Sequence, residues 1–269
     1  MIRKAAVAGQ FYSANPETLR NDLVALTQGM SPPAEPRGLA LMVPHAGYKY
    51  SGRVAGETYT AARLAKRAVI LCPNHTGLGE AIAVNDEGHW ETPLGRIPID
   101  ASLARAVLAG CGEARVDWAA HSREHSLEVQ LPFLQHLLGD PTIVPICVGT
   151  LNLRALLDLG RAVSSAVEQD GGDVLLIVSS DMSHYVPATV AARLDHKAIE
   201  RVLALDPEGL HRVVLEEDIS MCGVAPAVAG LEAARRIGAR EARLVAYSHS
   251  GETTRDLRSV VGYAGVAVT

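Results

Sequence analysis

Three histidines stand in short loops that each follow an apolar run. They are His45 in Pro44-His45-Ala46-Gly47-Tyr48 after Leu39–Val43, His75 in Pro73-Asn74-His75-Thr76-Gly77 after Ala68–Cys72, and His184 in Ser179-Ser180-Asp181-Met182-Ser183-His184 after Val174–Val178. Any one of them alone reads most simply as a loop side chain bonded to backbone. Three at equivalent strand ends suit convergence on one point, and converging neutral imidazoles are how proteins hold zinc, iron or copper. Asp181 then stands where a carboxylate orients a ligand or a catalytic histidine from behind. Cys222, in Ser220-Met221-Cys222-Gly223 just ahead of the apolar stretch Ala225–Ile237, is expected at a helix N-terminus, where the dipole favours a thiolate that binds metal or attacks electrophiles. Cys72 and Cys147 fall inside apolar runs and read as small core residues. With Cys111 and Cys222, they are too widely spaced for a disulfide framework or a paired-cysteine zinc site.

A second constellation competes with the first. His121-Ser122-Arg123-Glu124-His125 matches H-x-x-E-H, in which two histidines four apart on a helix hold zinc and the glutamate acts as base. The apolar stripe Leu127, Leu131, Leu134 and Leu138 starts the helix at about His125, so His121 falls before it and the zinc-hydrolase geometry fails. Pro132 is expected to interrupt that helix by removing a backbone donor. The remaining histidines, His89, His136, His196, His211 and His249, read as residues of turns or helix faces. No phosphate-cradling G-x-x-x-x-G-K-[ST], G-x-G-x-x-G or G-x-S-x-G segment occurs, so nucleotide and serine-hydrolase chemistry lack their residues.

The elements that must position these side chains are legible in outline. Asn15-Pro16-Glu17 opens a helix that Gly29 can stop. Leu39–Val43, Ala68–Cys72, Ile143–Val148 and Val174–Val178 are continuous apolar runs, as strands covered on both faces should be. Helical stretches follow at Arg53–Ala65, Leu153–Glu168 and Ala188–Leu205, and Leu244–Ser248 and Ser259–Val268 read as two final strands. Between Glu80 and Asp100 the turns Asp86-Glu87-Gly88 and Thr92-Pro93-Leu94-Gly95 predict an antiparallel or irregular excursion. Strands alternating with helices imply an α/β/α sandwich around a mostly parallel sheet. With no repeat or composition break, residues 1–269 are expected to form one domain. In such sheets ligands bind beyond the carboxyl ends of the strands, where His45, His75 and His184 fall.

Bulk composition bounds the partners. The chain has 269 residues, 25 basic and 30 acidic, for a net charge of −5, and no basic run, so a polyanion such as nucleic acid is not an expected partner. No apolar run approaches the roughly 20 residues that cross a bilayer. The basic opening Met1-Ile2-Arg3-Lys4 is followed by only Ala5–Ala8 before Gly9-Gln10, too short for a secretion signal, and the expected location is the cytoplasm.

Taken together, Ala6-Val7-Ala8-Gly9-Gln10-Phe11-Tyr12, Pro44-His45-Ala46-Gly47-Tyr48, Pro73-Asn74-His75, Glu124-His125-Ser126-Leu127-Glu128-Val129-Gln130-Leu131-Pro132, Ser179-Ser180-Asp181 with His184, and Cys222-Gly223 resemble the Memo family. In prokaryotes its members are called AmmeMemoRadiSam system protein B. The resemblance implies a fold similar to class III extradiol dioxygenases, which are non-haem iron enzymes. It also implies His45, His75 and Cys222 as metal ligands, and His184, Asp181 and the further pocket histidine His125 as catalytic residues, with His184 at the place of the dioxygenase catalytic histidine. A thiolate in place of the dioxygenase carboxylate favours softer ions, so iron or copper is expected, with zinc admitted, and ring-opening activity does not transfer with the fold. Two functions follow from it: metal-dependent redox chemistry on an unknown substrate, or a non-catalytic scaffold using the same pocket for a metal or a peptide. Expected partners are a small-molecule or peptide ligand and, from the prokaryotic family name, a radical S-adenosylmethionine protein.

Overall fold

The computed structural model describes residues 1–269. Its elements are β1 (Ile2–Arg3), α1 (Pro16–Leu26), β2 (Ala40–Val43), α2 (Tyr48–Tyr59), β3 (Arg67–Pro73), β4 (Ile82–Val84), β5 (His89–Thr92), β6 (Gly95–Pro98), α3 (Ala101–Gly110), β7 (Arg115–Val116) and α4 (His125–Glu128). They continue with α5 (Leu131–Leu138), β8 (Thr142–Val148), α6 (Leu153–Asp170), β9 (Val174–Ser179), β10 (His184–Val186), α7 (Ala188–Leu203), α8 (Pro207–Glu216), α9 (Val224–Arg236), β11 (Ala242–His249), α10 (Gly251–Thr254) and β12 (Val260–Val268).

The apolar runs become the centre of a nine-stranded sheet, in which β2, β9, β3 and β8 lie side by side and parallel. Every residue of β2 and β9 is buried, as their unbroken hydrophobicity requires. Around this centre the sheet becomes mixed: β12 pairs antiparallel with β2 and carries β10 and β11 antiparallel, while β4 pairs antiparallel with β8 and carries β7 in parallel. Adjacent residues of β9 show that helices cover both faces. Val178 presses on Gly230 of α9, whereas Ser179 bonds the Ser126 carbonyl of α4 and the Gln130 amide, and successive strand side chains point to opposite faces. The protein is therefore an α/β sandwich, with one connected apolar core reaching from Val7 to Val268.

The Glu80–Asp100 excursion supplies β4 at the sheet margin and the β5–β6 hairpin around Thr92-Pro93-Leu94-Gly95. That hairpin pairs with β1 in a separate three-stranded sheet. Asn15 caps α1 through Oδ1, accepting from the Glu17 and Thr18 amides at 2.9 Å.

Three local expectations are corrected. The helix expected over Arg53–Ala65 runs Tyr48–Tyr59: Gly52, which reads as the end of the preceding loop, packs within the helix against Leu26. His89 and His249 lie on strands β5 and β11. Pro132 does not interrupt a helix. It is the second residue of α5, where its missing N–H has no intrahelical partner to lose, and the break falls earlier, between α4 and α5. No helix is long and apolar enough to cross a membrane.

Candidate metal centre

The loop after β2 delivers His45, almost fully buried, and Asp181 in the loop after β9 fixes it by accepting the His45 backbone N–H at 2.7 Å. The His45 ring places Nδ1 3.0 Å from Ser179 Oγ and Nε2 3.2 Å from Cys222 Sγ. Burial, then the neighbouring His125 and His75, hold its imidazole well below the ordinary value, so it is neutral.

His75 follows β3 in a turn that Asn74 closes, its Oδ1 accepting from the amides of Thr76 and Gly77. Glu124 grips His75 twice, taking its backbone N–H at 2.6 Å and its Nδ1 at 2.9 Å. The same carboxylate accepts the Ser126 amide and hydroxyl at 2.9 and 2.7 Å. Burial works against its charge, but the bonds from His75 and Ser126 prevail and hold Glu124 at about 2. An ionised carboxylate only accepts, so His75 Nδ1 carries the proton and Nε2 is left as the donor atom for a metal.

His125 is the first residue of the one-turn α4. Its ring stacks on His75 with centroids 4.7 Å apart and an interplanar angle of 26°, and Phe11 covers it at 4.7 Å. Burial lowers it to about 4. The ligand atoms of His45, His75 and His125 lie within 4.8 Å of one another. Imidazole nitrogens this close, with His45 and His125 held neutral by burial, fit the donor set of a divalent first-row metal.

Among the residues singled out from sequence, the structure brings together His45, His75 and His125, with Cys222 against His45 on the side of Asp181, whose carbonyl lies 3.6 Å from Sγ. The thiolate expectation for Cys222 is corrected. Burial and then the Asp181 charge push its thiol well above the ordinary value, overriding any help from α9, so without a metal the thiol stays protonated.

A cleft of about 570 Å³ opens over the cluster, lined by the three histidines together with Asp181, His184 and the aromatic side chains of Phe11 and Tyr50, among others. Asp181 is raised to about 6 by burial, against the pull of the His45 N–H and the nearby histidines. His184 Nδ1 lies 2.9 Å from the Ser220 carbonyl and donates to it, and the side chain lines the cleft.

His121 stays outside the cluster. It is fully buried, with Nε2 3.2 Å from the Ala83 carbonyl and its ring edge-on to Trp90. The H-x-x-E-H pattern is therefore split: Glu124 caps α4, His125 joins the cluster and His121 packs against Ala83 and Trp90. Glu124 was visible in sequence only as a would-be base. Ser179, Gln130 and Ser220 lie inside the quoted motifs but carried no signal of a role of their own.

Beneath the site, Glu128 accepts from Arg3, from the Ala6 and Val7 amides at 2.8 and 3.1 Å and from the Tyr12 hydroxyl at 2.5 Å. This buried carboxylate ties the N-terminal segment down so that Phe11 meets His125.

Residues 3–267 match the family model described as Memo-like protein. The chain is 41% identical over 278 residues to a MEMO1 family protein of Methanopyrus kandleri, covering 99% of this chain and 98% of that one. It is 42% identical over 266 residues to a MEMO1 family protein of Aquifex aeolicus, covering 98% of each. The crystal structure of an uncharacterized protein, JW3007, from Escherichia coli K12 is similar with a TM-score of 0.58 at 12% identity, over 87% of this chain and 100% of that one. At that identity it shows a shared α/β fold and nothing finer. With the family model matched over nearly the whole chain and these relatives about 40% identical across it, the chain belongs to the Memo family.

Proposed function

We propose that the protein is a metal-dependent redox protein acting on a small molecule or peptide held in the cleft over the cluster. The observation that carries this reading is the approach of His45, His75 and His125 to within 4.8 Å of one another at the carboxyl edge of the parallel strands. His45 and His75 are ligands in either arrangement. The third is Cys222 on the family resemblance, supported by its Sγ 3.2 Å from His45 Nε2, and His125 on the geometry of the cluster. Iron or copper suits a mixed imidazole and thiolate set, and zinc suits it without redox chemistry. When bound, iron or copper supplies one-electron chemistry at open coordination positions.

The chain's own residues supply the rest. His184, anchored by Ser220, accepts or returns a substrate proton at Nε2, and Asp181 holds the His45 loop in place. Phe11 and Tyr50 give the cleft apolar faces against which a ligand can pack. The aromatic lining equally supports a scaffold reading in which a peptide or metal is held without turnover.

Metal analysis of the purified chain tests the site. Wild type is expected to carry stoichiometric metal, and His45→Ala and His75→Ala to lose it. The weaker of Cys222→Ser and His125→Ala identifies the third ligand. Unchanged metal in both His45→Ala and His75→Ala overturns the assignment. Oxygen uptake by iron-reconstituted protein that disappears in His184→Ala separates redox chemistry from a scaffold. The radical S-adenosylmethionine partner belongs to the same reading, and its absence from a pull-down in the native host counts against it.

A further inference from the structure

His45 has two ring nitrogens, and only the one without a proton can accept a thiol hydrogen or bind a metal. What decides between them is a small buried group of polar atoms on the far side of the ring. Ser179, Ser126, Gln130 and Tyr59 are all essentially without solvent exposure, so water cannot make up a missing partner.

The valences of this group can be assigned one by one. The Ser179 hydroxyl lies 2.6 Å from the Ser126 carbonyl, which only accepts, so the single hydroxyl proton is committed there. The Gln130 amide nitrogen lies 3.1 Å from the Pro44 carbonyl and 2.9 Å from Ser179 Oγ. Its carbonyl oxygen takes the Tyr59 hydroxyl at 2.8 Å. Turning that amide over would set oxygen against the Pro44 carbonyl, so its orientation is fixed as well. Ser179 Oγ therefore accepts from Gln130 and keeps one lone pair, 3.0 Å from His45 Nδ1. Only an Nδ1–H can fill it. The opposite tautomer would bury two acceptors face to face.

We infer that Ser179 is a positioning residue for His45. Its hydroxyl, with its other valences filled by Ser126 and Gln130, holds the imidazole in the Nδ1–H form and presents Nε2 toward Cys222 and the cluster. Ser179 does for His45 what Glu124 does for His75, with a neutral group in place of a charged one. Ser179 ends β9 and His45 lies just past the end of β2, its parallel neighbour, so the ring is set by the sheet itself.

This inference deepens the metal reading, but its primary test needs no metal. The full chain, labelled with nitrogen-15 in histidine and stripped of metal by chelator, is examined by long-range proton–nitrogen correlation, with His45 assigned by its absence in His45→Gln. The expected wild-type spectrum shows a protonated Nδ1 and a bare Nε2 for His45. Ser179→Ala is expected to move His45 toward the other tautomer while His75 is unchanged, and Ser179→Thr, which keeps the hydroxyl, to restore the wild-type pattern. In a zinc titration Ser179→Ala is expected to bind about 10- to 100-fold more weakly than wild type. A proton on Nε2 of wild-type His45, or the wild-type pattern persisting in Ser179→Ala, overturns the inference. The wild-type spectrum decides even if a variant does not fold. A wild type that binds no zinc overturns the metal reading alone, because the tautomer is read in its absence.

Discussion

His121 shows how one residue type divides into separate physical roles within four positions. It is neutral because burial lowers it from 6.5 to about 4, and its Nδ1 has no partner. The unfolded chain takes up a proton near pH 6.5, whereas the folded chain resists until near pH 4, so stability falls as pH drops through that window. The shift corresponds to about 3 kcal/mol. His121→Gln retains a donor for the Ala83 carbonyl but cannot titrate. Urea midpoints measured from pH 7 to pH 4 are expected to move in the variant's favour by about that amount, and parallel curves would rule the role out. His45 and His75 were legible because each stands just past an apolar strand. His125, at the start of α4, entered through the family resemblance, and the third strand-end histidine, His184, lines the cleft outside the three-histidine cluster. Glu124, Ser179 and Gln130 were not legible, since their importance lies in which atoms they reach across the fold. Glu124 reaches His75 across 49 positions and Ser179 reaches His45 across 134.

Elements were readable where hydrophobicity alone determines them. The central strands announced themselves as unbroken apolar runs, whereas the start of α2 was misplaced because Gly52 looks like a loop residue. Gly52 and Gly56 let α1 lie directly on α2: a Cβ at Gly56 would collide with the Leu26 carbonyl oxygen. In an exposed helix interior, glycine to alanine gains roughly 1 kcal/mol. At Gly56 the collision outweighs that gain, and Gly56→Ala is expected to cost about 1–3 kcal/mol by urea denaturation. A stabilised variant would mean that α1 is free to move away. The cost matters for the site because α2 begins at Tyr48, whose amide and hydroxyl bond the Phe11 carbonyl at 2.7 Å and the Val129 carbonyl at 2.8 Å. The segment that carries Phe11 and the C-terminal end of α4 therefore both bond to the first residue of one helix.

Across the whole molecule, the cluster joins parts of the chain that the fold alone brings together: the loop after β2, the loop after β3 and the start of α4. No unfolded segment can reproduce that arrangement, so a bound metal favours the folded state by mass action, by about 2.7 kcal/mol at a free concentration 100 times the dissociation constant. For a chain of this size each kcal/mol raises the melting temperature by roughly 2–4 °C, which puts the expected gain for wild type in zinc at about 5–10 °C. His75→Ala should show little of this gain, and its metal-free melting temperature should itself fall, because the buried Glu124 carboxylate loses the Nδ1–H it accepts, so the gain is read against each variant's own metal-free value. Glu124→Gln tests the coupling more sharply. It keeps the shape but removes the charge that directs the His75 proton to Nδ1. A reduced gain in that variant would show that the fold controls the metal through the tautomers of its histidines. A gain equal to wild type in both variants would mean that zinc stabilises the protein from somewhere other than this cluster.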